Sequence, residues 1–150
     1  VYERLLYDGA RHVSLATLEG MAERTVTLTS LSKTYSATGW RIGAVTAPAP
    51  VSAEIRKVHD VLTGGTVSVF QHAAVEALRL PDAYYATLRF EFDERRKLLA
   101  DALSALGATF IMPQGAYYVW LDAHSLGYAD DEALCRDWIT RLGVSAVPGS

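Results

Sequence analysis

From Arg24 to Ser30 the chain alternates polar and apolar residues, Arg-Thr-Val-Thr-Leu-Thr-Ser, and this period of two predicts a strand. Ile42-Gly-Ala-Val-Thr-Ala47 predicts a second short strand, closed by the breaker Pro48-Ala-Pro50. Val51, Ile55, Val58 and Leu62 then recur at helical spacing, and Gly64-Gly65 ends that helix. Ser68 followed by Gln71 has the form of a capping box opening a helix through Leu80. Pro81 suits the first turn of a longer helix, with Leu88, Phe92, Leu99, Leu103 and Leu106 on one face and Gly107 past its end. Phe110-Ile111 and Tyr117 to Leu121 predict strands on either side of a turn at Pro113-Gln114-Gly115. Asp130 or Asp131 is placed to cap a helix carrying Leu134, Trp138 and Leu142, stopped by Gly143. Val144 to Val147 predicts a last short strand.

These elements predict an α/β chain in three stretches. Residues 1–50 are strand-rich, residues 51–80 supply two connecting helices, and residues 81–150 form a self-consistent α+β unit. Two central-looking strands do not make a stable sheet by themselves, so the first stretch calls for partners this sequence does not contain. The first residue is Val1 and no start signal precedes it, so a piece of a longer chain is expected.

Composition narrows the field. The 150 residues are half apolar and 21% charged, with a formal charge of -3, which gives no reason to expect nucleic acid or an acidic membrane as partner. No apolar run approaches the roughly 20 residues that cross a bilayer, and Val1-Tyr-Glu-Arg4 has no secretory pattern. Cys135 stands alone, which excludes an internal disulfide framework and fits a reducing cytoplasm; on a helix it reads as a partly buried structural thiol. His12, His59, His72 and His124 show no metal-ligand spacing, and Gly64-Gly65 lacks the Lys-Ser/Thr of a phosphate loop. Trp120 and Trp138 read as core, Tyr84, Tyr85, Phe90 and Phe92 as packing or helix surface, and Glu91 to Lys97 as a solvated helix face.

The chemistry concentrates in Thr29-Ser-Leu-Ser-Lys-Thr-Tyr-Ser-Ala-Thr-Gly-Trp-Arg-Ile-Gly43. Lysine is scarce: besides Lys33 there are only Lys57 and Lys97, both on amphipathic helices. Lys33 instead lies at the end of a strand among hydroxyl residues, where ligand sites sit in open α/β sheets. Arg41, beyond the Gly39-Trp40 turn, is a natural phosphate ligand, bidentate and permanently charged, and Ser30 and Ser32 could add hydroxyl donors. A neighbouring cation also favours the neutral form of an amine, the form that attacks a carbonyl. A turn whose arginine makes a surface ion pair fits the same residues.

Ser30-Leu-Ser-Lys33 with Gly39-Trp-Arg-Ile-Gly43 resembles the cofactor-lysine motif of class I/II aminotransferases of pyridoxal-phosphate (PLP) fold type I. The whole motif is present, and the likeness extends along the chain, most to kynurenine-, aromatic- and methionine-transaminase-like members. Val1-Tyr-Glu-Arg-Leu-Leu-Tyr-Asp-Gly9 resembles the family's Asp-Glu-Val-Tyr-Glu segment, beginning two residues late. Gln114-Gly-Ala-Tyr-Tyr118 resembles the turn beside the substrate, and Val144-Ser-Ala-Val-Pro-Gly-Ser150 the segment before the family's last strand.

The resemblance implies part of a fold-type I large domain followed by a smaller α+β domain, in a cytoplasmic homodimer acting on an amino acid and a 2-oxo acid. It implies that Lys33 forms a Schiff base with PLP and moves the substrate Cα proton. Tyr2 would hydrogen-bond the cofactor's phenolic oxygen, Ser30 and Arg41 would bind its phosphate, and Gly115 and Tyr117 would line the substrate side. Residues around Thr66 to Phe70 could reach a neighbouring subunit's site. The reaction would be ping-pong: the amine passes to the cofactor and then to a second oxo acid.

Several family parts have no counterpart here. The Asp that pairs with the pyridinium nitrogen would fall just before Val1, the chain contains no Asn to join Tyr2, and the substrate-carboxylate Arg normally lies after Ser150. These 150 residues alone are therefore expected not to transaminate; turnover of an amino acid and 2-oxoglutarate at family-like rates would overturn this. The same motif also serves carbon–sulfur β-lyases, which need no oxo-acid acceptor and release ammonia. It serves, too, the aminotransferase-like sensor modules of transcriptional regulators, which carry a winged-helix segment. A folded but inactive fragment is the remaining reading.

Overall fold

A computed structural model describes residues 1–150, which divide into two compact units, Val1–Arg89 and Phe90–Ser150. In the first unit, β1 (Thr27–Ser30) pairs antiparallel with β2 (Gly43–Thr46), in a register that sets Thr27 opposite Thr46 and Ser30 opposite Gly43. The strand begins at Thr27 rather than Arg24 because Ala22–Arg24 close a 3-10 turn, and the Thr25 hydroxyl donates to the Met21 carbonyl at 2.7 Å. A local side-chain bond there outcompetes the ladder.

Glycine is required at position 43: a Cβ there would run into the Thr29 carbonyl oxygen. Leu28 and Val45 sit opposite each other and remain 71% and 47% exposed, so this face of the ribbon lacks the covering layer a stable sheet needs.

Helix α1 (Ala49–Thr63) follows Pro48 and ends at Gly64, whose φ of 63° lets its amide donate to the Asp60 carbonyl. Its expected apolar stripe forms but is largely bare, with Leu62 77% exposed. Helix α2 (Ser68–Leu78) starts one residue away from the expected cap. Val67 holds the cap position with no side-chain bond, and Gln71 instead reaches back to the Thr66 carbonyl at 2.8 Å. The core of this unit is Leu5, Tyr7, Leu31, Ile42 and Tyr85, with Ser32 and Thr34 buried among them.

Helix α3 (Asp82–Ala105) gives its first turns to the first unit and the rest to the second. Its buried line in the second unit runs through Arg96, Ala100 and Leu103, while Leu99 and Leu106 face outward. The stripe is rotated from the one expected because Arg96 lies inside. Its Nε and Nη2 meet Asp93 at 2.8 and 2.7 Å, and Nη1 donates to the Pro113 carbonyl at 2.7 Å. With those donors satisfied, its aliphatic stem can serve as core. The run Glu91 to Lys97 is thus not a wholly solvated face.

Strands β3 (Phe110–Ile111) and β4 (Trp120–Leu121) pair antiparallel, a shorter ladder than the sequence pattern suggests. Trp120 is 65% exposed and is not core. Asp130 proves to be the cap of α4 (Asp131–Asp137), its Oδ1 accepting the Ala133 amide at 2.7 Å; a π-helical turn, Trp138–Leu142, continues it to Gly143. Val144 to Val147 makes no strand. The Gly149 and Ser150 amides donate to Asp131 Oδ2 at 2.6 and 2.8 Å, so a carboxylate rather than a ladder holds the residues that follow. No helix is long and apolar enough to cross a membrane.

Candidate active site

Strand β1 ends at Ser30, and the chain folds at once into the turn that carries Lys33. The Ser30 and Ser32 hydroxyls meet at 2.5 Å, and the Ser32 amide donates to Ser30 Oγ at 3.1 Å. Leu31 donates its amide to the Ile42 carbonyl at 3.2 Å, extending the β1–β2 pairing by one bond and bringing the backbone at 41–43 alongside 30–32. Lys33 is half-buried between two buried neighbours, Ser32 and Thr34.

Arg41 follows the 3-10 turn Thr38–Trp40 and has φ 53°, a left-handed conformation uncommon outside glycine. It is exposed, and its Nη1 donates to the Thr38 carbonyl at 3.1 Å. Ser36, three residues beyond the lysine, also has φ 53°. Trp40 stacks on Phe70 of α2 with ring centroids 5.1 Å apart, which props the turn from outside.

Tyr2 is half-buried at the start of a turn in which the Leu5 amide donates to its carbonyl at 2.9 Å. Its neighbour Glu3 accepts a hydrogen bond from Thr29 Oγ1 at 3.3 Å, so Tyr2 is one residue from a contact with the end of β1. The first unit therefore gathers Ser30, Ser32, Lys33 and the Arg41 backbone around one strand end, with Tyr2 attached through Glu3.

A cluster whose sequence pattern points to packing or helix surface stands behind the lysine turn. The Tyr84 hydroxyl donates to the Thr34 carbonyl at 2.6 Å, and the Tyr35 and Tyr85 hydroxyls meet at 2.7 Å. Arg4 lies over the Tyr85 ring, 4.7 Å from its centroid. Burial, aided by the Tyr85 hydroxyl, pushes the Tyr35 phenol up to about 12. The only sequence sign of this was a pair of adjacent tyrosines in the first turn of a helix, which plain packing explains equally well.

Gly115 and Tyr117 lie in the second unit. Ala116 between them has φ 60°, so three of the four non-glycine residues in the left-handed region (Ser36, Arg41, Ala116, with Asp8) fall in the two candidate turns. Such backbone strain clusters where function over-determines shape. Tyr117 stacks on Phe92 at 5.9 Å and accepts a hydrogen bond from the Tyr118 hydroxyl at 3.2 Å. A cavity of about 200 Å³ opens here, lined by Phe92, Leu99, Pro113, Tyr117 and Val119 with Arg95 and Arg96.

Comparison with known proteins places the chain in a family. Residues 1–150 match the family described as aminotransferase class I and II. The chain is 39% identical over 150 residues to the probable N-succinyldiaminopimelate aminotransferase DapC of Mycobacterium tuberculosis, covering 100% of this chain and 38% of that protein. It is 35% identical over 149 residues to the methionine aminotransferase of Escherichia coli, covering 99% of this chain and 38% of that one. The crystal structure of an aromatic aminotransferase from Pyrococcus horikoshii OT3 superposes with a TM-score of 0.92 at 36% identity, over 100% of this chain and 40% of that one. The chain thus spans about two-fifths of the length of the relatives it matches. Its α/β fold is that of part of a fold-type I enzyme. The chain belongs to the class I and II aminotransferases.

Proposed function

We propose that this chain is part of a PLP-dependent aminotransferase that moves an amino group from an amino acid to a 2-oxo acid by a ping-pong mechanism, with Lys33 as its reactive amine. The family's enzymes depend on PLP. The observation that carries the reading is the fold of one strand end: two hydroxyls already in contact, a lysine three residues past the first, and an arginine brought alongside by strand pairing.

These groups fit the cofactor. Ser30 and Ser32 offer hydroxyls to a phosphate, and Arg41 has used one N–H on Thr38, leaving others on an exposed guanidinium. PLP, when bound, supplies an electron sink for charge at the substrate Cα. Lys33 Nζ would hold the cofactor and carry the proton to and from that carbon. Tyr2 would orient the ring through its hydroxyl, while Gly115 and Tyr117 would shape the substrate side. We read residues 1–50 as large-domain sequence, 51–80 as connecting helices and 81–150 as small-domain sequence, in a cytoplasmic homodimer.

Borohydride reduction of the complete polypeptide saturated with PLP, followed by peptide mapping, tests the attachment site. The expected product is a stable adduct at Lys33 and none at Lys57 or Lys97. No adduct at Lys33 overturns the proposal.

A further inference from the structure

The four carbonyls from Leu31 to Thr34 all accept hydrogen bonds. Leu31 accepts from the Tyr35 amide at 3.2 Å, Ser32 from Thr38 Oγ1 at 3.1 Å, and Lys33 from the Ser36 amide at 3.4 Å. Those donors come from the turn itself. The fourth, the Thr34 carbonyl, takes its bond from Tyr84, 50 residues along the chain. Next to it the Tyr35 hydroxyl meets Tyr85, again 50 residues along.

We propose that Tyr84 and Tyr85 are positioning residues for Lys33: their hydroxyls latch the Thr34-Tyr35 backbone and side chain to the first turn of α3 and so fix the direction in which the lysine leaves the backbone. The inference rests on the role proposed for Lys33 above. Ring packing alone does not account for the arrangement. Tyr35 stacks on Tyr84 at 6.0 Å and meets Tyr85 edge-on at 6.3 Å, contacts that phenylalanines would also make. The hydroxyls add direction. Tyr85 is only 6% exposed, and a buried phenol without a partner is costly, so its bond to Tyr35 selects one arrangement of the pair. Thr34 is 4% exposed, and its carbonyl carries the same requirement.

Tyr84→Phe and Tyr85→Phe keep the rings and remove only the hydroxyls. In the cofactor-free complete polypeptide, amide hydrogen exchange at Tyr35 and Ser36 is expected to quicken about fivefold in each variant. With PLP added, borohydride trapping at Lys33 is expected to slow by a similar factor, about fivefold. Tyr128→Phe, which removes a hydroxyl bonded to Asp137 in the other unit, serves as the control and should change neither.

Faster exchange together with slower trapping supports the latch. Unchanged exchange, or faster exchange with unaltered trapping, overturns it, the latter because the tyrosines would then serve the fold without placing the amine. If the wild-type protein is never trapped at Lys33, the cofactor reading fails, and with it the positioning role; the exchange data still report whether the tyrosines hold the turn.

Discussion

Around Lys33 the backbone is held by neutral hydroxyls, whereas ahead of Gly115 it is held by a charge. In the first turn the side-chain donors are Thr38 and Tyr84, beside the Tyr35 and Ser36 amides, with the Ser30 and Ser32 hydroxyls paired next to them. In the second, a buried guanidinium, Arg96, grips the Pro113 carbonyl and is balanced by Asp93. Lys97 and Arg96 together hold the Asp93 carboxyl below the usual carboxylate range. The difference follows from what each turn is read to do. A turn that presents an amine and a guanidinium to an anionic ligand is best braced by groups that add no competing charge. A turn that only shapes a cavity can use an internal ion pair, provided the pair satisfies itself.

That contrast can be broken by substitution. In the complete polypeptide Lys33→Ala should lower kcat/KM for transamination by at least about a thousandfold, since the amine proposed to react has no substitute. Tyr117→Phe, which removes a hydroxyl whose partner is Tyr118, should stay within about tenfold of wild type. Steady-state kinetics with an amino acid and a 2-oxo acid checks both, and equal losses at the two positions would erase the distinction. Arg96→Leu should destabilise the second unit by about 2 kcal/mol for the charged bond to Pro113 alone. Denaturant unfolding read at residues 90–150 measures it.

A smaller effect sharpens the comparison through pH. Tyr35 has its phenol raised from 10.0 to about 12 by burial and by Tyr85. A raised phenol means the folded state holds its proton more tightly than the unfolded one. The stabilisation is therefore complete below pH 10.0 and is lost as pH rises towards about 12. Tyrosinate absorbance should show a late-ionising tyrosine that disappears in Tyr35→Phe.

The lysine turn was largely legible in the sequence because its candidate residues are local: Ser30, Ser32, Lys33 and Arg41 lie within one segment, bounded by one strand that alternation announces and another that the Pro48-Ala-Pro50 breaker closes. The helices were legible too, through period and punctuation, as Gly64, Gly107 and Gly143 ending them in the left-handed region attest. What escaped depends on partners distant in sequence. The Tyr84–Thr34 bond leaves no periodic trace, and Arg96 inside a run of charges looks solvated until the Pro113 carbonyl appears beside it. Val144 to Val147 has strand-forming composition, but Asp131 holds the segment that follows by its Gly149 and Ser150 amides and no strand pairs with it. Ladder formation is decided by neighbours as much as by composition.

Arg41 adopts φ 53°, a conformation that glycine accepts freely and arginine does not. The fold and the phosphate role proposed for it therefore make opposite demands on this position. Arg41→Gly should raise the melting temperature of the cofactor-free protein, because it releases a conformation that costs about 1 kcal/mol. The same change should weaken PLP binding at least about tenfold by removing the charged group proposed to hold the phosphate. A thermal-shift assay and a cofactor titration on one variant would show the two quantities moving in opposite directions. Selection for thermal robustness alone would discard this arginine; the phosphate role proposed for it gives a reason to keep it.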